Sequence, residues 1–164
     1  MRTSRAILLV LAAAGVLQLV HYYPLLPETM ASHFDGSGHA NGFQSRDGFA
    51  AFTMGILALT VLIFAGMGWL FRVLPSEWLN LPNRDYWLAS ERRDETLEDL
   101  SRRMEWFGAA SLALYLFVIQ RVIETNRTGA PRLDPEDVLV PLGLYLGFSV
   151  VWMIGLFRRF RRPA

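Results

Sequence analysis

Residues 49–71 read FAAFTMGILALTVLIFAGMGWLF, an apolar run with no charged side chain. As a helix rising 1.5 Å per residue, it is long enough to cross a hydrocarbon layer of about 30 Å. Three further runs share this character: Ala6 to Tyr23, Trp106 to Ile123 and Val138 to Phe157. Nearly all charge falls between the runs. This segregation predicts an all-α membrane protein: a four-transmembrane-helix antiparallel bundle forming one domain over residues 1–164. The expected helices cover about 6–23, 49–71, 106–123 and 138–157. They leave an ordered extracytoplasmic loop at 24–48, an inner loop at 72–105 and a second outer loop at 124–137. Composition agrees, with 52% hydrophobic residues among 164 and a mean hydropathy of +0.26.

The first run follows Arg2 and Arg5 and so has the look of a signal peptide. The residues after its apolar core, Gln18 to Tyr23, are too bulky for a small-residue cleavage site, and the helix is expected to persist as an anchor. Orientation follows from arginine, which supplies all sixteen basic residues. Only Arg46, Arg121, Arg127 and Arg132 fall on the side opposite the N-terminus, and the other twelve fall on the N-terminal side. The positive-inside rule therefore predicts that both termini are cytoplasmic. A formal net charge of +1 gives no reason to expect nucleic acid as a partner, and the absence of cysteine excludes disulfides, thiolate zinc sites and thiol catalysis.

Several boundaries carry helix signals. Asp47 is the expected N-cap of the second span, and Asp134-Pro135-Glu136-Asp137 reads as N-cap, N1 proline and two acids at the start of the fourth. That span ends at Arg158-Arg159-Phe160-Arg161-Arg162. In the inner loop, Ser90 can cap a helix that places Leu97, Leu100 and Met104 on one face and pairs Glu98 with Arg102 and Asp99 with Arg103; this helix runs on toward the third span. Gly143 and Gly147, extended by Gly155, offer a small-residue face to a neighbouring helix, and packing within the chain is the expectation.

The outer loop 24–48, PLLPETMASHFDGSGHANGFQSRDG, is the most distinctive segment. Pro27 to Met30 suits one helical turn, and Asp35-Gly36, Ser37-Gly38 and Asn41-Gly42 suit tight turns with positive φ. Its Tyr23-Pro24, Leu26-Pro27, His33-Phe34, Gly38 and Ser45-Arg46 resemble the signature of a bacterial membrane family, domain of unknown function 1648, which also forms the N-terminal part of Sdp-type immunity and signalling proteins. In the inner loop, Leu81-Pro82-Asn83-Arg84-Asp85-Tyr86-Trp87-Leu88 is similar to the family's "LPN-K-x-YW" string. Arg46 and Arg84 stand where lysine is commoner in the family, keeping the charge but adding a planar fork of donors.

The resemblance implies a bacterial protein, and with the arginine asymmetry the expectation is a bacterial cytoplasmic membrane protein; no cofactor is expected. Its implied function is that of a non-enzymatic protein of immunity or signalling type, binding an extracellular peptide, toxin or membrane partner through residues 24–48. The expected binding residues are His33, Phe34, Asp35, Gly38, Arg46, Gln18 and His21. Gln18 and His21 share a helix face. A cytoplasmic regulator is expected to meet Asn83, Arg84, Tyr86, Trp87, Arg92 and Arg93. The alternative is an accessory subunit of a transporter or other membrane complex, with the lipid bilayer as the remaining partner. A metal-dependent membrane enzyme is a third reading and requires His33, His39 and Asp35 to converge on one ion. Arg121 has two readings, snorkelling to the headgroups or closing the outer loop through Asp35 or Asp47. No nucleophile elbow or phosphate-binding loop is present.

Overall fold

The computed structural model describes residues 2–129 and 131–161, which leaves the expected terminal Arg162 outside the described residues. The chain is mostly helical, with four helices long and apolar enough to cross a membrane. They are α1 (Thr3–Tyr22), α2 (Arg46–Val73), α4 (Arg93–Arg127) and α5 (Pro135–Arg159). A four-residue helix, α3 (Arg84–Trp87), lies between α2 and α4.

Helix α4 is the spine, packing on α1, α2 and α5. Its buried residues Leu97, Ser101, Glu105, Gly108, Leu112, Ile119, Val122, Ile123 and Asn126 recur at helical spacing and form one stripe. Near one end of the stripe, Ile119, Val122 and Ile123 pack with Leu19, Leu26, Met30 and Phe49. In the middle, Ala109 and Leu112 meet Leu8 and Leu57. At the other end, Leu100 joins Leu81 and Phe160. By contrast, α5 has no buried residue within its span and meets α4 along one face. That contact is aromatic, with Phe107 of α4 lying 4.8 Å from Trp152 and 5.9 Å from Tyr145 between ring centroids.

The sequence expectation of an all-α fold needs one correction. Residues 24–48 contain an antiparallel hairpin of β1 (Thr29–Phe34) and β2 (Ala40–Ser45). The expected helical turn at Pro27 does not form, and a 3-10 turn occupies Tyr23–Leu25 instead. The physical reason is burial. An extended β1 sends Met30, fully buried, into the core beside Leu26 and Ile123. Of the loop glycines, only Gly38 has positive φ, and Gly42 sits within β2 opposite His33.

The caps shift as well. Ser45, not Asp47, caps α2, its hydroxyl accepting from Gly48 N at 3.0 Å, while Asp47 stands in the first turn. Helix α4 begins after Arg92, and Ser90 bonds its neighbour Glu91. Arg102 pairs with Asp99 and not with Glu98, which faces Arg2 at 3.7 Å. The Asp134 cap of α5 forms as the sequence indicates.

The expected inward packing of Gly143, Gly147 and Gly155 is not found, since a Cβ at any of them would meet nothing within 4 Å. The tight approach is elsewhere. A Cβ on Gly108 of α4 would lie 2.4 Å from the Phe64 ring of α2, so only glycine lets these two helices close. Gly108→Val is therefore expected to lower stability by about 1–3 kcal/mol through overpacking. Gly147→Val is expected to leave thermal unfolding of the purified protein unchanged. Equal melting shifts for the two variants would contradict this packing.

Candidate functional site

The hairpin sits over the ends of α1, α2 and α4 and is fastened along one edge of β1, at its base and at its turn. Asn126, buried near the end of α4, accepts from Ala31 N at 2.7 Å and donates to Ala31 O at 3.0 Å, so its amide substitutes for a neighbouring strand along β1. Its remaining N–H reaches Val122 O. At the base of the hairpin, Arg46 N donates to Glu28 O, Arg46 Nη1 donates to Leu26 O, and the guanidinium lies 4.8 Å over the Tyr23 ring. Tyr23 in turn donates to Asp47.

The turn joining the strands is built on Asp35, whose Oδ1 accepts from Ser37 N, Ser37 Oγ and His39 N at 2.7–3.0 Å. The Ser37 hydroxyl and then the His39 N–H hold the Asp35 carboxyl below its ordinary range. Gly38 docks the turn onto the α4–α5 connection. Its carbonyl accepts from Leu133 N at 2.9 Å, and a Cβ on it would lie 1.9 Å from Leu133 O, which only glycine avoids. His39 also bridges Arg132 in strand fashion.

The expected binding residues therefore divide. Asp35, Gly38 and Arg46 shape the hairpin from within, and Phe34 packs against the core beneath it. His33 lies exposed on β1, tight against Gly42, with Phe43 of β2 60% exposed. Gln18 and His21 separate. His21 is exposed and stacks edge-on to Tyr22, while Gln18 turns inward and donates to Gln120 at 2.7 Å. From there a polar chain runs across the molecule. Gln120 donates to Tyr22 and Glu124, Glu124 pairs with Arg121, and Arg121 pairs with Asp137 of α5. Arg121 thus closes onto α5, not onto Asp35 or Asp47. Among the described residues no three histidine, aspartate or glutamate side chains converge as metal ligands; Asp35 and His39 come within 4.0 Å, and His33 does not join them.

Residues 8–63 match the family model described as Domain of unknown function (DUF1648). No curated protein and no solved structure matches the chain. The DUF1648 segment covers most of α1, the whole hairpin and about the first two thirds of α2. Tyr23, Leu26 and Arg46 on this segment are the residues that clamp the base of the hairpin.

The inner-loop string lies beyond the DUF1648 match and has a structural task. The carbonyl of Phe160, just past the end of α5, accepts from Asn83 Nδ2 at 3.0 Å and Trp87 Nε1 at 2.8 Å. Asn83 holds the left-handed conformation, φ 52°, that aims its amide there. Two of the expected regulator contacts, Asn83 and Trp87, are thus spent on holding the C-terminal helix. Arg92 stacks on Tyr86 at 4.1 Å and donates to its carbonyl, Arg93 reaches Arg72 O, and Arg84 reaches Glu77 O and Asp85.

Two polar anchors escaped the sequence reading. Glu105, fully buried, accepts from Ser4 at 2.6 Å and pairs with Arg5 at 2.8 Å, while Arg5 also donates to Ala65 O, so one carboxylate joins α1 and α4 and reaches α2. Asn126 is the other. The signal for both was their helical register with the buried stripe. Asn126→Ala is expected to cost about 1–3 kcal/mol by stranding the Ala31 N–H and carbonyl. Amide exchange at Ala31 should accelerate accordingly, and unchanged exchange there would mean that the hairpin is held by other contacts.

Proposed function

We propose that the chain is a bacterial cytoplasmic membrane protein, an antiparallel bundle with cytoplasmic termini, which binds an extracytoplasmic peptide or membrane partner through its hairpin. The protein acts without chemistry of its own, in the manner of the Sdp-type immunity and signalling proteins that its sequence resembles. The observation that carries this reading is the division of the hairpin into a fastened side and a free one. Asn126, Arg46 and Leu133 hold one edge, the base and the turn, while His33, Asn41 and Phe43 stay exposed. A phenylalanine 60% exposed on a rigid two-stranded platform offers an aromatic side chain of the kind enriched at interfaces. Rigidity lowers the entropic cost of association.

The orientation rests on the arginine asymmetry. It has a direct check, because the natural chain has no cysteine. An Asn41→Cys variant should react with a membrane-impermeant maleimide added to intact cells, and a Ser90→Cys variant should react only after lysis. The reverse pattern would invert the topology.

The accessory-subunit reading is favoured by α5, whose Gly143, Gly147 and Gly155 face open space. One capture experiment from native membranes separates the two readings. A His33→Ala, Phe43→Ala pair is expected to lose a specific partner that Gly143→Leu, Gly147→Leu and Arg92→Glu, Arg93→Glu variants retain. Loss only in the glycine variant would favour the accessory subunit, and loss only in the arginine variant would move binding to the inner loop. If no variant loses a partner, the binding role is rejected.

A further inference from the structure

The ends of α4 and α5 nearest the chain termini enclose a cleft of about 290 Å³ lined by Glu95, Glu98, Asp99, Arg102, Arg103 and Arg159. Its base is Asp99, whose side chain is 7% exposed. Three guanidinium groups converge on this one carboxylate: Arg102 at 2.5 Å, Arg103 at 3.2 Å and Arg159 at 3.0 Å. A single negative charge answers three positive ones at contact distance. Of the two remaining carboxylates, Glu98 faces Arg2, and Glu95 is exposed. Arg159 is also held apart from Asp99, its guanidinium lying 4.7 Å over the Trp87 ring.

Arg103 and Arg159 each spend the Nε–H on Asp99, leaving the terminal N–H groups for another acceptor. A guanidinium presents five donors in a planar fork, which suits the oxygens of a phosphodiester. The height along the helices is equally specific. Arg102 and Arg103 precede the apolar part of α4 that opens at Trp106, and Arg159 closes α5 after Phe157, so the cleft lies where headgroups meet the acyl region.

We propose that this cleft binds the phosphate of an anionic phospholipid headgroup, with Arg102, Arg103 and Arg159 as ligands and Asp99 as the residue that positions them. Basic pockets between transmembrane helices take such headgroups because attraction to the phosphate adds to burial of the lipid's tails along the helices. Exposed apolar side chains of α5, Val151 and Ile154 among them, lie deeper along the same helix to receive the acyl chains.

The test is native mass spectrometry of the full-length protein in detergent, titrated with phosphatidylglycerol or with phosphatidylcholine of identical chains. The expected result is selective retention of one phosphatidylglycerol, weakened about fivefold by Arg102→Gln and about twenty-fivefold by Arg102→Gln with Arg159→Gln. Arg127→Gln with Arg132→Gln, an equal loss of charge at the opposite end, should change nothing. Glu95→Gln leaves every Asp99 contact in place and should tighten binding by removing a competing carboxylate, which keeps the test decisive if the double variant fails to fold. Equal retention of the two lipids, an equal effect from the opposite-end variant, or no gain in Glu95→Gln would overturn the proposal. Displacement by equimolar inorganic phosphate would also overturn it, assigning the site to a free anion.

Discussion

A polar group on a membrane-spanning helix has no water to bond, so it must be answered by the protein itself. In this chain that constraint falls on α4. Its buried or half-buried polar residues Glu105, Ser111, Gln120, Arg121 and Asn126 are each met by another element. The partners come from α1, α5 and β1, so α4 joins the other elements together. The Arg5–Glu105–Ser4 cluster is the most demanding of these contacts, because removing Arg5 would strand the fully buried Glu105 carboxylate.

The same logic explains why the loop after α1 is a hairpin. A compact coil over the bundle would bury backbone groups without partners. Strand pairing satisfies one edge of β1, and the Asn126 amide satisfies Ala31 on the other. The hairpin can then press Met30 into the core while leaving Phe43 outside. At the other end, Asn83 and Trp87 donate to the Phe160 carbonyl, which would otherwise be an unpaired acceptor beyond the last turn of α5.

Helix α5 stands apart from the rest of the bundle. It is held by an aromatic strip, by the Arg121–Asp137 pair at one end and by the Asp99 arginine cluster with the Phe160 latch at the other. Its far side is apolar and, among the described residues, unoccupied, with open glycines. Either lipid or a partner helix satisfies such a face.

The sequence by itself determined the four spans, the acidic cap of α5 and the kinship of the hairpin segment with DUF1648, because each rests on local composition or on residues a few positions apart. Uninterrupted apolar length is sufficient to mark a span, whatever it packs against. Only the tertiary structure decided the hairpin, the open face of α5 and the tasks of Asn126, Glu105 and Asn83. A strand whose outer edge is completed by a side chain 95 residues away carries no turn-to-turn signal of that bond. Gly108 and Gly147 look alike in the sequence, and only the position of Phe64 makes the first indispensable. Hydrogen bonds and close approaches depend on where distant segments meet, and residues a few positions apart do not encode that meeting.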